Sequence, residues 1–223
     1  MNGRANDRCG AEIARSHRGR GTALLLVDWI NDFEFPEAEG LLAHALPAAR
    51  NAARLRERAT SAGVPIIYVN DNFGHWRSDF ERVVERCRER RGRAIIELLE
   101  PRPGDFFVLK PKHSGFLHTP LELLLDHLGV GRLVFTGLAG DICVLFTAHD
   151  AHMRDFRVAV ARDCVASNTP EANTTVIEQL GRIVHAEIAD GDALALPVNP
   201  IGAPDSGSGS IAEALAACDD ARR

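Results

Sequence analysis

Short apolar runs that do not alternate with polar residues are the feature that most constrains how this chain can fold. The clearest lies at residues 22–27, where Thr-Ala-Leu-Leu-Leu-Val is followed at once by Asp28. A continuous run of this length is typical of a strand covered on both faces, as in a parallel sheet between two layers of helices. Comparable strands are predicted at residues 65–69, 106–109, 132–136, 157–161 and 184–188.

Helical patterns separate these runs. Apolar residues recur at helical spacing between residues 41 and 59, and further helices are predicted near residues 78–90, 119–129, 143–155 and 170–180. Strands that alternate with helices form βαβ units with right-handed crossovers. The sequence therefore predicts a three-layer α/β/α fold around a mostly parallel, six-stranded, Rossmann-like sheet.

The length of 223 residues suits one such domain and is short for two. Residues 1–20 lack periodicity and are predicted to form a mobile tail, and residues 21–200 form the domain. Residues 201–223 combine a Gly/Ser-rich linker with a weakly amphipathic arm.

Composition excludes several classes of protein. The net charge of -5 argues against a nucleic-acid partner. No apolar run approaches the roughly 20 residues that span a bilayer, so no membrane partner is expected. Five cysteines without a CxxC pair indicate reduced thiols in a cytoplasmic protein, not a disulfide framework or a zinc site.

Three reactive side chains stand where predicted strands end: Asp28, Lys110 and Cys143. Ligands of open parallel sheets bind at those carboxyl ends, so the three could supply a base, a cation and a nucleophile. A thiol at the start of a helix lies near free N–H groups, which should lower its pKa. Taken one at a time, each residue also has a purely structural interpretation. Asp28 could cap a helix, Lys110 could be a solvated surface side chain, and Cys143 could be a packed core thiol.

Three segments that contain these residues also resemble a known family. Residues 25–33 read LLVDWINDF, residues 110–116 read KPKHSGF and residues 137–144 read GLAGDICV. In this order they resemble the isochorismatase-like cysteine hydrolases, a superfamily that includes nicotinamidases, N-carbamoylsarcosine amidohydrolase and ureidoacrylate amidohydrolase. The resemblance covers residues 22–190.

The resemblance implies roles for particular residues. Asp28, Lys110 and Cys143 would form the catalytic triad. The N–H groups of Ala139 and Cys143 would form an oxyanion hole, aimed by a cis peptide between Leu138 and Ala139.

It also implies a substrate pocket and an assembly. The pocket would be lined by Trp29, Phe33, Phe116 and Leu138. The substrate would be a small molecule, and the chain would form a homodimer or a larger homo-oligomer.

Two departures from the family pattern refine these expectations. Nicotinamidases carry an Asp-x-His metal pattern after the second strand, whereas residues 71–75 here read Asp-Asn-Phe-Gly-His and place Phe73 where an imidazole would be. We therefore expect neither a metal nor another cofactor. Gly140 stands where many members have Thr.

These observations predict a cysteine hydrolase that cleaves a small amide, ureido or carbamoyl C–N bond through a thioester on Cys143. One alternative keeps the fold and hydrolyses an ester or a lactam. Another is a non-catalytic module that uses Cys143 for binding or redox sensing. A nucleotide-binding Rossmann protein is disfavoured, because residues 28–30 lack the glycine-rich turn that pyrophosphate needs.

Overall fold

The computed structural model describes residues 18–77 and 79–197, which form six strands and six α-helices. The strands are β1 (Gly21–Val27), β2 (Ile66–Asp71), β3 (Phe106–Lys110), β4 (Val130–Gly137), β5 (Arg157–Val165) and β6 (Glu187–Ala189). The α-helices are α1 (Ala38–Ser61), α2 (Phe80–Arg88), α3 (Arg93–Leu99), α4 (Leu121–His127), α5 (Leu145–Met153) and α6 (Pro170–Ile183). One α-helix lies between successive strands, except between β2 and β3, where there are two. One π-helical turn, Gly140–Val144, leads directly into α5.

The six strands form one sheet in the order β3-β2-β1-β4-β5-β6, and every neighbouring pair is parallel. The chain moves outward from β1 to β3 and then returns to place β4 on the other side of β1. Val27 pairs with Val69 of β2 and with Gly137 of β4, so β1 and β4 end at the same level and β2 continues two residues further, to Asp71. The predicted fold class is confirmed, and the order reverses between β1 and β4, where such sheets bind ligands.

Alternate residues of β1 point to opposite faces of the sheet, and both faces are buried. Leu24 and Leu26 pack in one core with α1, α2 and α3. Leu25 and Val27 pack in a second core with α4, α5 and α6. These two cores explain why residues 23–27 of β1 are all apolar, because neither face of the strand meets water.

Arg18 is docked onto the domain, although the segment that contains it was expected to be a tail. Its guanidinium pairs with Glu122 and with Asp126 (2.6 Å), and Nε donates to the carbonyl of Arg154 (2.8 Å). The same group lies 4.1 Å from the centre of the Phe156 ring. Residues 1–17 of the predicted tail, and the arm at residues 201–223, lie outside the described residues.

Within the described ranges, no helix combines the length and the apolar character that crossing a membrane requires.

Candidate active site

Asp28 is the first residue after β1 and is held in place by hydrogen bonds to the neighbouring strand β2. Its N–H donates to Val69 (2.9 Å), and its carboxylate Oδ1 accepts the N–H of Asp71 (2.6 Å). Asp28 has a φ of 50°, in the left-handed region that Asp tolerates better than most residues. Only 5% of the residue is exposed, so its carboxylate sits in a site largely shielded from water.

Lys110 brings a positive charge to this carboxylate from the edge of the sheet. It is the last residue of β3, and its side chain reaches past the end of β2 to Asp28. Nζ lies 2.8 Å from Asp28 Oδ2, 3.4 Å from Cys143 Sγ and 3.6 Å from Asp71 Oδ2. Lys110 is fully buried, whereas the neighbouring Lys112 is exposed.

Cys143 lies in the π-helical turn between β4 and α5. The chain leaves β4 at Gly137, whose φ of 143° favours glycine and where a Cβ would lie 2.3 Å from the carbonyl oxygen of Val27. The turn is then fastened to the end of β5, because the N–H of Gly140 donates to Ala166 (2.8 Å). Cys143 itself is partly exposed, whereas Asp28 and Lys110 are buried.

The expected cis peptide between Leu138 and Ala139 is wrong. The described residues contain no cis peptide bond. The reversal after β4 is made instead by the positive φ of Gly137 and by Ala139 in an extended conformation (φ −73°, ψ 140°), so the ordinary trans peptide suffices. An oxyanion hole formed by the N–H groups of Ala139 and Cys143 stays a prediction.

The pKa of the Cys143 thiol is raised, not lowered as its place near a helix start suggests. Burial is the main cause, and the neighbouring Asp28 carboxylate adds to it, while Lys110 opposes both. Burial likewise raises the pKa of Asp28, against the opposing effects of Lys110 and of hydrogen bonds from Cys143 and Asp71. The two shifts favour a neutral thiol beside an Asp28 carboxylate whose affinity for a proton is raised.

The pKa of Lys110 is raised as well. Burial by itself lowers it, but Asp28, Cys143 and Asp71 together outweigh that effect. The lysine therefore remains a cation throughout the physiological range and compensates negative charge on either partner.

Two further residues support the site, and the sequence analysis gave neither of them this role. Asp71 ends β2, where it donates its N–H to Asp28 and places a carboxylate beside Lys110. Thr147 lies one helical turn after Cys143 and donates its hydroxyl to the Cys143 carbonyl (2.6 Å), while it accepts the N–H of Gly115 (3.0 Å). The strand-end position of Asp71 and the i+4 spacing of Thr147 are the signals that could have identified them.

The four residues expected to line the pocket are buried in the structure. Trp29, Phe33 and Leu138 are fully buried in the first core, and the Trp29 indole donates to Thr136 Oγ1 (3.0 Å). Phe116 is 6% exposed and packs against Phe156 in the second core. Packing accounts for all four positions, and their contact with substrate stays a prediction.

The side chains after β2 do not fit the metal site of nicotinamidases. Among the described residues, no group of three or more His, Cys, Asp or Glu side chains is arranged to hold a metal ion. Asp71 faces Lys110, and Nε2 of His75 lies 2.9 Å from Nη1 of Arg86. Cations therefore occupy the neighbourhood of both potential ligands.

Fold and site together define a class: doubly wound α/β proteins that gather a carboxylate, a lysine and a thiol at the carboxyl edge of a parallel sheet. Comparison with protein families makes the assignment specific. The isochorismatase domain matches residues 22–190. The chain belongs to the isochorismatase family.

Individual relatives agree with this assignment. The isochorismatase family protein YaaI of Bacillus subtilis is 41% identical over 166 residues, which are 74% of this chain and 92% of the relative. The crystal structure of N-carbamoylsarcosine amidase from Thermoplasma acidophilum is 29% identical, with a TM-score of 0.61 over 78% of this chain and 98% of that one. The ureidoacrylate amidohydrolase RutB of Methylorubrum extorquens is 39% identical, but the match spans only 35% of this chain and 32% of the relative.

Proposed function

We propose that this protein is a cysteine amidohydrolase that cleaves the C–N bond of a small amide, ureido or carbamoyl compound through a thioester on Cys143. The observation that carries the proposal is the position of Lys110 Nζ, 2.8 Å from Asp28 and 3.4 Å from the Cys143 sulfur. The names of the amidase and amidohydrolase relatives support the choice of a C–N bond.

The first step forms the acyl-enzyme. The Cys143 thiol gives its proton to Asp28 as the sulfur bonds to the carbonyl carbon, and the carbonyl oxygen takes the negative charge. The N–H groups of Ala139 and Cys143 would stabilise that oxygen. When the C–N bond breaks, Asp28 passes the proton to the leaving nitrogen, so ammonia or an amine departs and a thioester remains.

The second step returns the enzyme to its resting state. Asp28, again ionised, takes a proton from water as the water oxygen bonds to the thioester carbon. The C–S bond then breaks, the acid product departs, and the sulfur recovers the proton from Asp28. Lys110 compensates whichever of the two groups is negative at each stage, since it contacts both.

The raised pKa of Asp28 suits this proton shuttle, although the raised pKa of the Cys143 thiol acts in the opposite direction. A carboxylate with an ordinary pKa is a poor base for a thiol, and burial of Asp28 reduces the mismatch by increasing its affinity for the proton. The raised pKa of Cys143 also argues against a redox sensor, because oxidation-sensitive cysteines are exposed thiolates of low pKa.

A panel of primary amides, ureido acids and carbamoyl amino acids, with ammonia release as the readout, tests the proposal. We expect Cys143→Ala to abolish turnover and leave the circular dichroism spectrum unchanged. Quenched wild type should carry an acyl adduct on Cys143 in mass spectrometry. Cys164→Ala is the matched control, since Cys164 is a buried thiol in β5. An adduct on Cys164, or full activity without Cys143, would refute the mechanism, and turnover confined to esters or lactams would refute the choice of bond.

A further inference from the structure

Asp71 brings a second carboxylate to the triad, and the proposed mechanism gives that carboxylate no part. It ends β2, the strand beside β1, and its backbone N–H already holds Asp28 Oδ1. Its Oδ2 lies 3.6 Å from Lys110 Nζ, whereas Asp28 Oδ2 lies 2.8 Å from the same amine. An N–H···O hydrogen bond extends to about 3.2 Å, so Lys110 is hydrogen-bonded to Asp28 and only near Asp71.

The two oxygens of the Asp71 carboxylate have different surroundings. Oδ1 accepts the N–H of Phe73 (2.6 Å), which fixes the orientation of the side chain. Within residues 18–77 and 79–197, no group donates a hydrogen bond to Oδ2, and 36% of the side chain is exposed. Oδ2 is therefore a charged acceptor that is held in place and remains open to a ligand.

This open acceptor lies close to the reactive sulfur. Lys110 is fully buried and Asp28 is 5% exposed, so solvent reaches the site at Cys143 and Asp71. Lys110 Nζ lies 3.6 Å from Asp71 Oδ2 and 3.4 Å from Cys143 Sγ, so these two atoms are at most about 7 Å apart. A molecule bound over the sulfur is therefore within reach of the Asp71 carboxylate.

The separation suits one nitrogen between the reacting carbon and the carboxylate. A carbonyl carbon poised for attack lies about 3–3.5 Å from its nucleophile. The amide C–N bond adds about 1.3 Å, and the N–H donor lies about 2.9 Å from its acceptor oxygen. These lengths together bridge the gap, so a nitrogen bonded to the carbonyl can reach Oδ2 while the carbon stays on the sulfur.

We propose that Asp71 is a specificity-determining residue whose Oδ2 accepts a hydrogen bond from the leaving nitrogen of the substrate. The inference rests on the proposed function and adds the contact by which the site distinguishes an amide from an ester. The leaving nitrogen gains positive charge when Asp28 protonates it, and hydrogen bonds between charged groups are the stronger ones. The contact therefore strengthens in the transition state. An ester or a tertiary amide carries no hydrogen there and loses the contact.

Asp71→Asn tests this contact, because it preserves the shape of the side chain. The Asn oxygen can still accept the Phe73 N–H, which turns the NH2 group to where Oδ2 stood and replaces an acceptor by a donor. We expect kcat/KM for succinamate, measured by ammonia release, to fall about tenfold or more, as for loss of a hydrogen bond to a charged group. Hydrolysis of p-nitrophenyl acetate, which also needs the thiol but offers no N–H, should change less than about threefold.

The matched control is Asp79→Asn. Asp79 is an exposed carboxylate that caps α2 by accepting the N–H of Arg82, and Asn caps helices equally well. This variant should leave both rates unchanged. An equal fall for amide and ester in Asp71→Asn would show that Asp71 only holds the triad in place, and would overturn the inference. An unchanged rate with succinamate would overturn it as well.

A second measurement does not depend on turnover. Iodoacetamide and N,N-dimethyliodoacetamide both alkylate thiols, but only iodoacetamide carries N–H groups, on a nitrogen close to the sulfur it attacks. The ratio of their rates at Cys143, read by mass spectrometry and divided by the ratio for glutathione, cancels the reactivity of the thiol itself. This preference for iodoacetamide should be about fivefold or more in the wild type and should disappear in Asp71→Asn. A preference that survives in Asp71→Asn would refute the contact. If the wild type hydrolysed no amide, the proposed function would fail, and the labelling ratio would still decide whether Asp71 binds an N–H group.

Discussion

Replacement of Lys110 by methionine should lower both the stability of the protein and its activity, because it removes the one buried cation of the triad. Methionine keeps much of the side-chain volume but leaves the Asp28 carboxylate without its 2.8 Å partner in a site that is 5% exposed. Removing one member of a buried ion pair typically costs about 3–5 kcal/mol, because the remaining charge is uncompensated. We expect a loss of that size in the free energy of unfolding at pH 8, together with loss of turnover.

The loss should depend on pH in a defined direction. Burial already raises the pKa of Asp28, and without Lys110 it rises further. Between the unfolded pKa of about 3.9 and the higher folded value, the native state binds more protons than the unfolded state. Stability therefore falls as pH rises through that window, by up to about 1.4 kcal/mol per pH unit. The gap between wild type and Lys110→Met should be smaller at pH 4.5 than at pH 8.

Urea unfolding followed by circular dichroism at the two pH values measures this gap. Two further variants control it. Lys112→Met changes an exposed lysine two residues away and should shift stability by less than about 0.5 kcal/mol. Adding Asp28→Asn to Lys110→Met removes the unpaired buried carboxylate. The double variant should therefore regain most of the lost free energy of unfolding. The reasoning would be refuted if Lys110→Met were as stable as the wild type at pH 8. It would also be refuted if the double variant regained none of the lost free energy of unfolding.

Four further predictions follow from the site and its surroundings. The rate of iodoacetamide labelling at Cys143, plotted against pH, should have its midpoint above the free-thiol pKa of about 8.5. Asp28→Asn should lower this midpoint. A wild-type midpoint below about 8.5 would contradict the raised pKa of the thiol. Gly140→Thr should lower the free energy of unfolding by about 1–3 kcal/mol, because a Cβ at this position would lie 2.7 Å from Val165 Cγ1 and 2.8 Å from Ser167 Oγ. An unchanged urea midpoint would contradict this, because it would show that the turn shifts to make room for the side chain. Dialysis against a strong chelator should leave turnover intact, and a loss that a divalent ion restores would reveal a metal site. Light scattering of the full chain should report at least a dimer, an expectation that comes from the family resemblance, and a monomer at micromolar concentration would contradict it.

The positions of the reactive residues could be predicted because they depend on local patterns. An apolar run long enough for a strand, followed by Asp28, Lys110 or Cys143, places each side chain at a strand end. Parallel strands bring those ends to one edge of the sheet, so their proximity follows from topology. The helix α3 was not predicted, although Ile95 and Leu99 are buried. It has only seven residues and begins after Gly92 without a side-chain cap, so neither a long helical period nor a capping residue indicates it.

The electrostatics of the site could not be predicted in the same way. The direction of the Cys143 pKa depends on burial and on the distance to Asp28, and neither can be obtained from the residues around the thiol. A helix start indicates a lowered pKa, but here desolvation and a neighbouring carboxylate outweigh it. The docking of Arg18 is similar, because its partners Glu122 and Asp126 lie about a hundred residues away in the chain.

The pairing of β1 with β4 also has a consequence for how the protein folds during synthesis. Val27 pairs with Gly137, so β1 leaves the ribosome roughly a hundred residues before its central neighbour. Until then one edge of an apolar strand has no partner, and non-local parallel pairings of this kind form slowly and leave the chain open to aggregation. Asp28 and Cys143 meet only when that pairing forms, so catalytic competence reports that β1 and β4 have joined at the centre of the sheet.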